Sequence, residues 1–330
     1  MRKVLLTAIL MGIGCLAGPA GASPQDTRSG ALSILFENDI FFDTDQHYTS
    51  GVALDYTTAP QDTPRWLENF AHHLPFFDSR GEVRTNYELG QDIFTPRNTG
   101  LVVPNPTDRP YAGYLYLGLG LLSKTDSHLD QVQLQLGTTG PASLAEDAQN
   151  WVHTVIGDHK ALGWHYQLHD EPIANVFLDR SWKLIPPRSI LGLFFDLEPH
   201  AGIAVGNAYD YVNVGAMARV GINLPDDFGP PRLEPSLPGS SFFEPNGALS
   251  AYAFAGVDGR AVGRNIFLDG NSFEASPSVD KKLLVGDLRI GVAAQLGGMR
   301  LSFSHVFRTK EFKTQASADQ FGSVDLTFRL

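Results

Sequence analysis

Gln131-Val132-Gln133-Leu134-Gln135-Leu136 sets an amide at every odd position and an aliphatic side chain at every even one. Successive side chains of a β-strand point to opposite faces, so this stretch has one greasy face and one wet face. The same period of two returns further along. Val212, Val214, Ala216, Ala218, Val220 and Ile222 alternate with Asn213, Gly215, Met217, Arg219, Gly221 and Asn223. Leu288, Ile290, Val292, Ala294 and Leu296 alternate with Arg289, Gly291, Ala293 and Gln295. A soluble antiparallel sheet carries this pattern too, so length and number must decide.

Twelve such segments can be marked: 30–38, 50–58, 84–94, 111–123, 129–140, 172–185, 191–205, 210–223, 247–259, 284–296, 299–309 and 321–330. Many reach the about 9–11 residues of a tilted membrane strand, against about 5–6 for a soluble one. The last, Val324, Leu326, Phe328 and Leu330 alternating with Asp325, Thr327 and Arg329, runs to the final residue. The pattern predicts an all-β chain, a transmembrane antiparallel β-barrel of about twelve strands, with no repeat and no second domain. Closure removes the edges that helices would otherwise cover. Residues 59–83, with Trp66, Leu67, Phe70, Leu74, Phe76 and Phe77, predict a short helix at the membrane interface. Residues 225–246, rich in Pro and Gly and carrying Phe242 and Phe243, read as a long turn.

The first residues read as an address. Arg2 and Lys3 precede an apolar run, Val4 to Leu16, and Ala20-Gly21-Ala22 offers small residues for cleavage. Residues 1–22 are therefore expected to be a signal peptide and 23–330 a single barrel domain in a Gram-negative outer membrane. A lipoprotein anchor on Cys15 would want a bulky aliphatic where Gly12 stands. Cys15 is the only cysteine and leaves with the signal, which excludes disulfides and thiolate chemistry from the mature chain. A net charge of −11 lacks the basic face a nucleic-acid partner requires. Beyond the signal no apolar run is long enough for a membrane helix.

With both termini periplasmic, odd strands run outward. The loops 39–49, 95–110, 141–171, 260–283 and 310–320 then lie outside. That parity gathers Asn38-Asp39, Tyr48-Thr49-Ser50-Gly51, Asp108-Arg109-Pro110-Tyr111 and His153 at one outer rim. No Gly-x-Ser-x-Gly elbow and no His-Glu-x-x-His pair is present. His153, His159, His165 and His169 are spaced six, six and four apart, a poor zinc pattern. Glu37 to Asp45 is rich in the hard oxygen donors that calcium takes, or is simply a solvated loop whose Asn and Asp make turns. Leu144, Ala148, Trp151, Val152, Val155 and Ile156 recur at helical spacing, and Gln149 and His153 fall four apart on one face.

At these residues the chain resembles the outer-membrane lipid A 3′-O-deacylases. The likeness rests on Phe36-Glu37-Asn38-Asp39, on Thr44-Asp45 with Tyr48-Thr49-x-Gly51, and on Gly90-Gln91-Asp92-Ile93-Phe94-Thr95-Pro96. It continues through Asp108-Arg109-Pro110-Tyr111-Ala112-Gly113, Gln149-Asn150-x-x-His153-x-x-Ile156-Gly157, Trp164-x-x-Gln167-Leu168-x-x-Glu171-Pro172 and Val257-x-Gly259-Arg260. The resemblance implies a twelve-stranded barrel that hydrolyses the 3′-linked acyl ester of lipid A with calcium. It makes His153 the catalytic histidine and Asn38, Asp39 and Thr49 the other site positions. Asp39 would hold the metal, and Gln149 or Asn150 would orient the imidazole. Where the family carries a lysine in the loop after the third strand, 95–110 has none. Arg97 and Arg109 are the cations left there to meet lipid phosphates, with Lys160 a further one at the rim. Lipopolysaccharide and outer-membrane lipids are the expected partners, with no obligatory protein. A passive channel and a calcium-dependent phospholipase stand as the competing readings.

Overall fold

The computed structural model describes residues 29–42, 47–157, 159–233, 240–245 and 249–330. The signal segment 1–22 lies outside them. Thirteen strands follow in order: β1 (Ala31–Asn38), β2 (His47–Thr57), β3 (Glu82–Thr95), β4 (Ala112–Lys124), β5 (His128–Thr139), β6 (Glu171–Trp182), β7 (Ile185–Ile190), β8 (Leu193–Gly206), β9 (Tyr209–Ile222), β10 (Ser250–Asn265), β11 (Leu284–Leu296), β12 (Met299–Arg308) and β13 (Asp319–Arg329). Each pairs antiparallel with its neighbour, and β1 pairs with β13 over its whole length to close the ring. β6 and β7 share one stave, because β8 pairs with β6 from Gly206 to His200 and with β7 from Leu197 to Leu193. The result is a closed twelve-strand barrel.

The sixth stave is longer than its alternation suggests. Pro186 and Pro187 break the pattern where the β7–β8 register shifts. Proline has no N–H to give a ladder, and β7 tolerates two because it pairs with β8 alone. The turn beyond it holds Leu191 and Gly192 at φ 54° and 85°, the two left-handed residues of a tight hairpin.

Burial decides between membrane and water. Val212, Val214 and Ile290 are 53 %, 65 % and 50 % exposed, while Asn213 and Arg219 on the opposite face are buried at 4 % and 2 %. A soluble sheet would bury the valines. This wall does the reverse, turning its apolar face outward, as lipid requires.

The interior is filled from the periplasmic side. The loop after β9 was expected to be a long turn, but its described parts fold into the lumen as a plug. Leu224, Phe228, Leu233, Phe242 and Phe243 are all buried there. Asp227 accepts from Arg219 and, at 3.0 Å, from Arg300 Nη1. Arg289 Nη1 donates to Pro230 O at 3.0 Å, and Ser240 Oγ to Gln131 Oε1 at 3.1 Å. Proline keeps the segment out of the sheet, and its phenylalanines and acid find apolar surface and arginines inside. A cavity of about 50 Å³ beside Asp55, Asn86 and Glu88 remains, room for water and little else. The full-length barrel is accordingly expected to show no stepwise ion conductance in planar bilayers. Open-channel steps of a twelve-strand pore would contradict the plug.

The helix expected within 59–83 forms at Arg65–Ala71. Leu67 and Ala71 pack on Leu121 and Phe77, while Trp66 and Phe70 stay exposed.

Candidate active site

The site is built on the outer wall. Asn38 pairs with Ser50, Ser50 with Ile93, and Ile93 with Gly113, a row crossing β1 to β4. Directly paired residues share a face, and alternation puts this row on the side of the exposed Ile34, Val52, Leu89 and Leu117. It is therefore the topmost row of the lipid-facing surface and not part of the lumen.

The loop after β5 docks onto this row. Gln91 Nε2 donates to Ser143 O at 2.7 Å, and a Cβ on Gly113 would overlap Ser143 and Ala145. Ile93, Tyr111, Ala145, Ala161 and Trp164 form one buried cluster there, with Ala148 against it. The docked element is the helix Ala145–Ile156, stopped by Gly157 at φ 73°, whose N–H returns to His153 O. Its buried residues are Ala145, Gln149 and His153, spaced by four along one face. Trp151, Val152 and Val155 point away from the wall and are exposed. The helical spacing read from the sequence is correct, but of the apolar stripe only Ala148 packs on the wall. Trp151, Val152 and Val155 face outward, and the polar Gln149 and His153 face the protein.

His153 is 7 % exposed, and its Nδ1 is hydrogen-bonded to the carbonyl of His159. A carbonyl only accepts, so Nδ1 carries the proton and Nε2 is the basic nitrogen of the neutral ring. Sequence reasoning gave this orienting role to Gln149 or Asn150. Instead Gln149 Oε1 accepts from the Trp164 indole at 2.8 Å, and Asn150 Oδ1 from Ala161 N at 3.1 Å. Both amides hold the returning loop that delivers the His159 carbonyl.

Asn38 closes an Asx turn, its Oδ1 accepting from Ile40 N at 2.7 Å. The turn opens a short 3-10 helix, Asp39–Phe42, in which Asp39 is buried. Aromatic contacts hold it to the wall. Phe41 meets Phe36 and Phe303 edge-on at 6.0 and 5.8 Å, and Phe42 stacks on His305 at 3.5 Å. Thr49 is the extra residue of a β-bulge, where pairing skips from Tyr48–Phe94 to Ser50–Ile93. Its hydroxyl lies 2.7 Å from that of Thr95, whereas Tyr48 turns inward and donates to Asp92 at 3.2 Å. Bulges re-aim side chains beside sites in this way.

The two arginines of the loop after β3 part company. Arg97 is exposed. Arg109 is buried, bonded to Glu311 Oε2 at 2.9 Å and set over the Phe94 ring at 4.8 Å. Burial alone would raise the Glu311 carboxyl, but Arg109 and Arg308 beside it hold it below the usual range. Arg109 thus staples two outer loops, and Arg97 is the one whose side chain reaches solvent. Close by, His47 places Nδ1 2.6 Å from Asp319 and Nε2 3.2 Å from Asp108. Burial pushes the Asp108 carboxyl up, yet His47 and the backbone N–H groups of Arg97 and Arg109 bring it net below its ordinary value.

A closed twelve-strand barrel whose outer wall is apolar and whose lumen is polar defines an outer-membrane protein. The profile of the family described as Outer membrane protein LpxR matches residues 5–330, and the chain belongs to that family. Among solved structures it is similar to LpxR from Salmonella typhimurium, at 23 % identity and a TM-score of 0.75, covering 91 % of this chain and 100 % of that one. The β domain of the Bordetella autotransporter BrkA gives 11 % identity and a TM-score of 0.45, covering 92 % and 99 %. The translocator domain of NalP from Neisseria meningitidis gives 10 % and 0.40, covering 100 % and 98 %. No protein of curated function matches the sequence.

Proposed function

We propose that this protein hydrolyses the 3′-linked acyl (acyloxyacyl) ester of lipid A in the outer leaflet, with His153 as general base. The observation that carries this reading is a histidine with its tautomer set by the His159 carbonyl, held against the lipid-facing wall on the same end as Asn38, Asp39 and Thr49. A lipid reaches such a site by moving sideways in the membrane and needs no pore. His153 Nε2 takes a proton from water as that water attacks the ester carbonyl. The Asn38 amide can donate to the oxyanion that forms. When the tetrahedral intermediate collapses, the sugar alkoxide leaves and recovers the proton from His153. The products are a free fatty acid and a 3′-hydroxyl, with no acyl-enzyme. Arg97 and Lys160, both exposed at this rim, are the cations suited to lipid phosphates.

Calcium belongs to the same reading. Among the described residues no three His, Cys, Asp or Glu converge. What the wall offers is oxygen: the Asp39 carboxylate, the Asn38 amide and the Thr49 hydroxyl. Such hard donors fit calcium, which takes carbonyl and water oxygens besides, better than zinc. When bound, the ion would polarise the ester carbonyl as a Lewis acid. The test is to offer the purified barrel lipid A and a glycerophospholipid, each with and without a chelator, and weigh the products. Loss of the 3′ acyl group from lipid A alone is expected, slowed about 10²-fold or more by chelation. Cleavage of the glycerophospholipid with lipid A untouched would replace this reading with the phospholipase one.

A further inference from the structure

The opposite wall carries a second lipid-facing feature. Val214 pairs with Gly259 and Gly259 with Gly286, and the row above is Val212, Ala261 and Leu284. Val212, Val214 and Leu284 stand exposed at 53 %, 65 % and 74 %. Between them a groove of about 810 Å³ opens on the wall. A side chain begun at Gly259 would meet nothing nearer than Val214 O at 3.9 Å. That volume is in the range of sites that hold a small ligand or part of a larger one. The groove lies at the ends of β9, β10 and β11 that join the outer loops, so it sits at outer-leaflet depth. Counted around the ring, β10 stands about half a turn from the β2–β3 strands of the active site.

Two lysines close the upper end. Lys282 and Lys310 both line the groove. Their neighbours are neutralised, Lys281 by Asp269 at 2.9 Å and Lys313 by Asp280 at 3.2 Å. Lys282 and Lys310 have no carboxylate within ion-pair distance among the described residues. A lysine stem lies along apolar surface while its ammonium reaches the polar layer. We propose that this groove is a non-catalytic binding site for lipopolysaccharide, with one acyl chain over Gly259 and Ala261 and a glucosamine phosphate between Lys282 and Lys310. An apolar trough under two unneutralised cations, at the depth of the outer leaflet, is complementary to the phosphorylated glycolipid found there. The proposal rests on the outer-membrane placement and not on the deacylase reading.

Native mass spectrometry of the full barrel in mild detergent tests it, using the His153→Ala background so that no ligand is consumed and lipid A as the probe. A lipid A whose retention depends on the groove is expected, counted over and above the one the catalytic wall can hold. Lys282→Glu with Lys310→Glu should weaken it by roughly an order of magnitude or more, since each lysine near a lipid phosphate contributes appreciably. Gly259→Phe, which fills the trough without touching charge, should also reduce it. Heat-modifiable gel mobility shows that each variant is folded. Equal retention by the double lysine variant, or equal binding of lipid A stripped of its phosphates, would overturn the proposal. Because binding is read and not hydrolysis, either result leaves the deacylase assignment where its own assay puts it.

Discussion

His153→Ala is expected to lower release of the 3′ acyl group by about 10²–10⁴-fold, the usual contribution of a positioned general base. The barrel should survive intact. His153 sits on a helix docked to the outside of the wall, so no ladder hydrogen bond is lost, and alanine is a better helix former than histidine. The bond from Nδ1 to the His159 carbonyl goes with the ring, and that bond holds a loop on the outside of the wall. Mass spectrometry of lipid A from cells carrying each version reads the activity, and the gel shift of unheated protein reads the fold. A folded variant that still trims lipid A at the parental rate would remove His153 from the mechanism. Residual activity above background is expected, because the Asn38 amide and the Asp39 and Thr49 oxygens remain in place.

How much of this was visible beforehand depends on whether a feature is local in sequence. Strand positions were, because period two is printed residue by residue in stretches such as Val212 to Asn223. The phase of that period is less secure in β1, where Ile34, Leu35 and Phe36 are apolar in succession. Leu35 turns out to face the lumen against Ala53 and Leu233, which throws Asn38 to the lipid side. Parity therefore located the outer rim, and only register located the face. The plug had no period to read. Its contacts, such as Arg300 with Asp227, join residues 73 positions apart. Arg109 looked like a loop cation until Glu311, 202 positions away, was found beside it. The orienting group on His153 is a backbone carbonyl, and side-chain motifs are silent about those.

Asp287→Ala is expected to cost about 3–5 kcal/mol of barrel stability, the range for removing one partner from a buried ion pair. Three arginines converge on this one carboxylate in the lumen. Arg308 donates through Nε and Nη2 at 3.0 Å each, Arg260 through Nη1 at 3.2 Å, and Arg232 through Nη2 at 3.3 Å. Arg308 and Arg260 come from wall strands, while Arg232 comes from the plug. The other acids in reach are further off: Glu311 is 3.9 Å from Arg308, Glu37 is 3.8 Å from Arg232 and Asp258 is 3.4 Å from Arg260. None can take over all three, so the alanine leaves guanidinium charge in the lumen with too little to balance it. Asp287→Asn keeps the volume and one acceptor oxygen and should lose less, since part of the hydrogen bonding persists. Urea unfolding in lipid vesicles measures both, provided the slope with denaturant is unchanged. Because Arg232 ties the plug to the wall through this carboxylate, the alanine variant should also be the one whose lumen admits ions. Stability within about 0.5 kcal/mol of the parent would show instead that lumenal water screens the three arginines and that the plug is held by its phenylalanines and its Asp227 contacts.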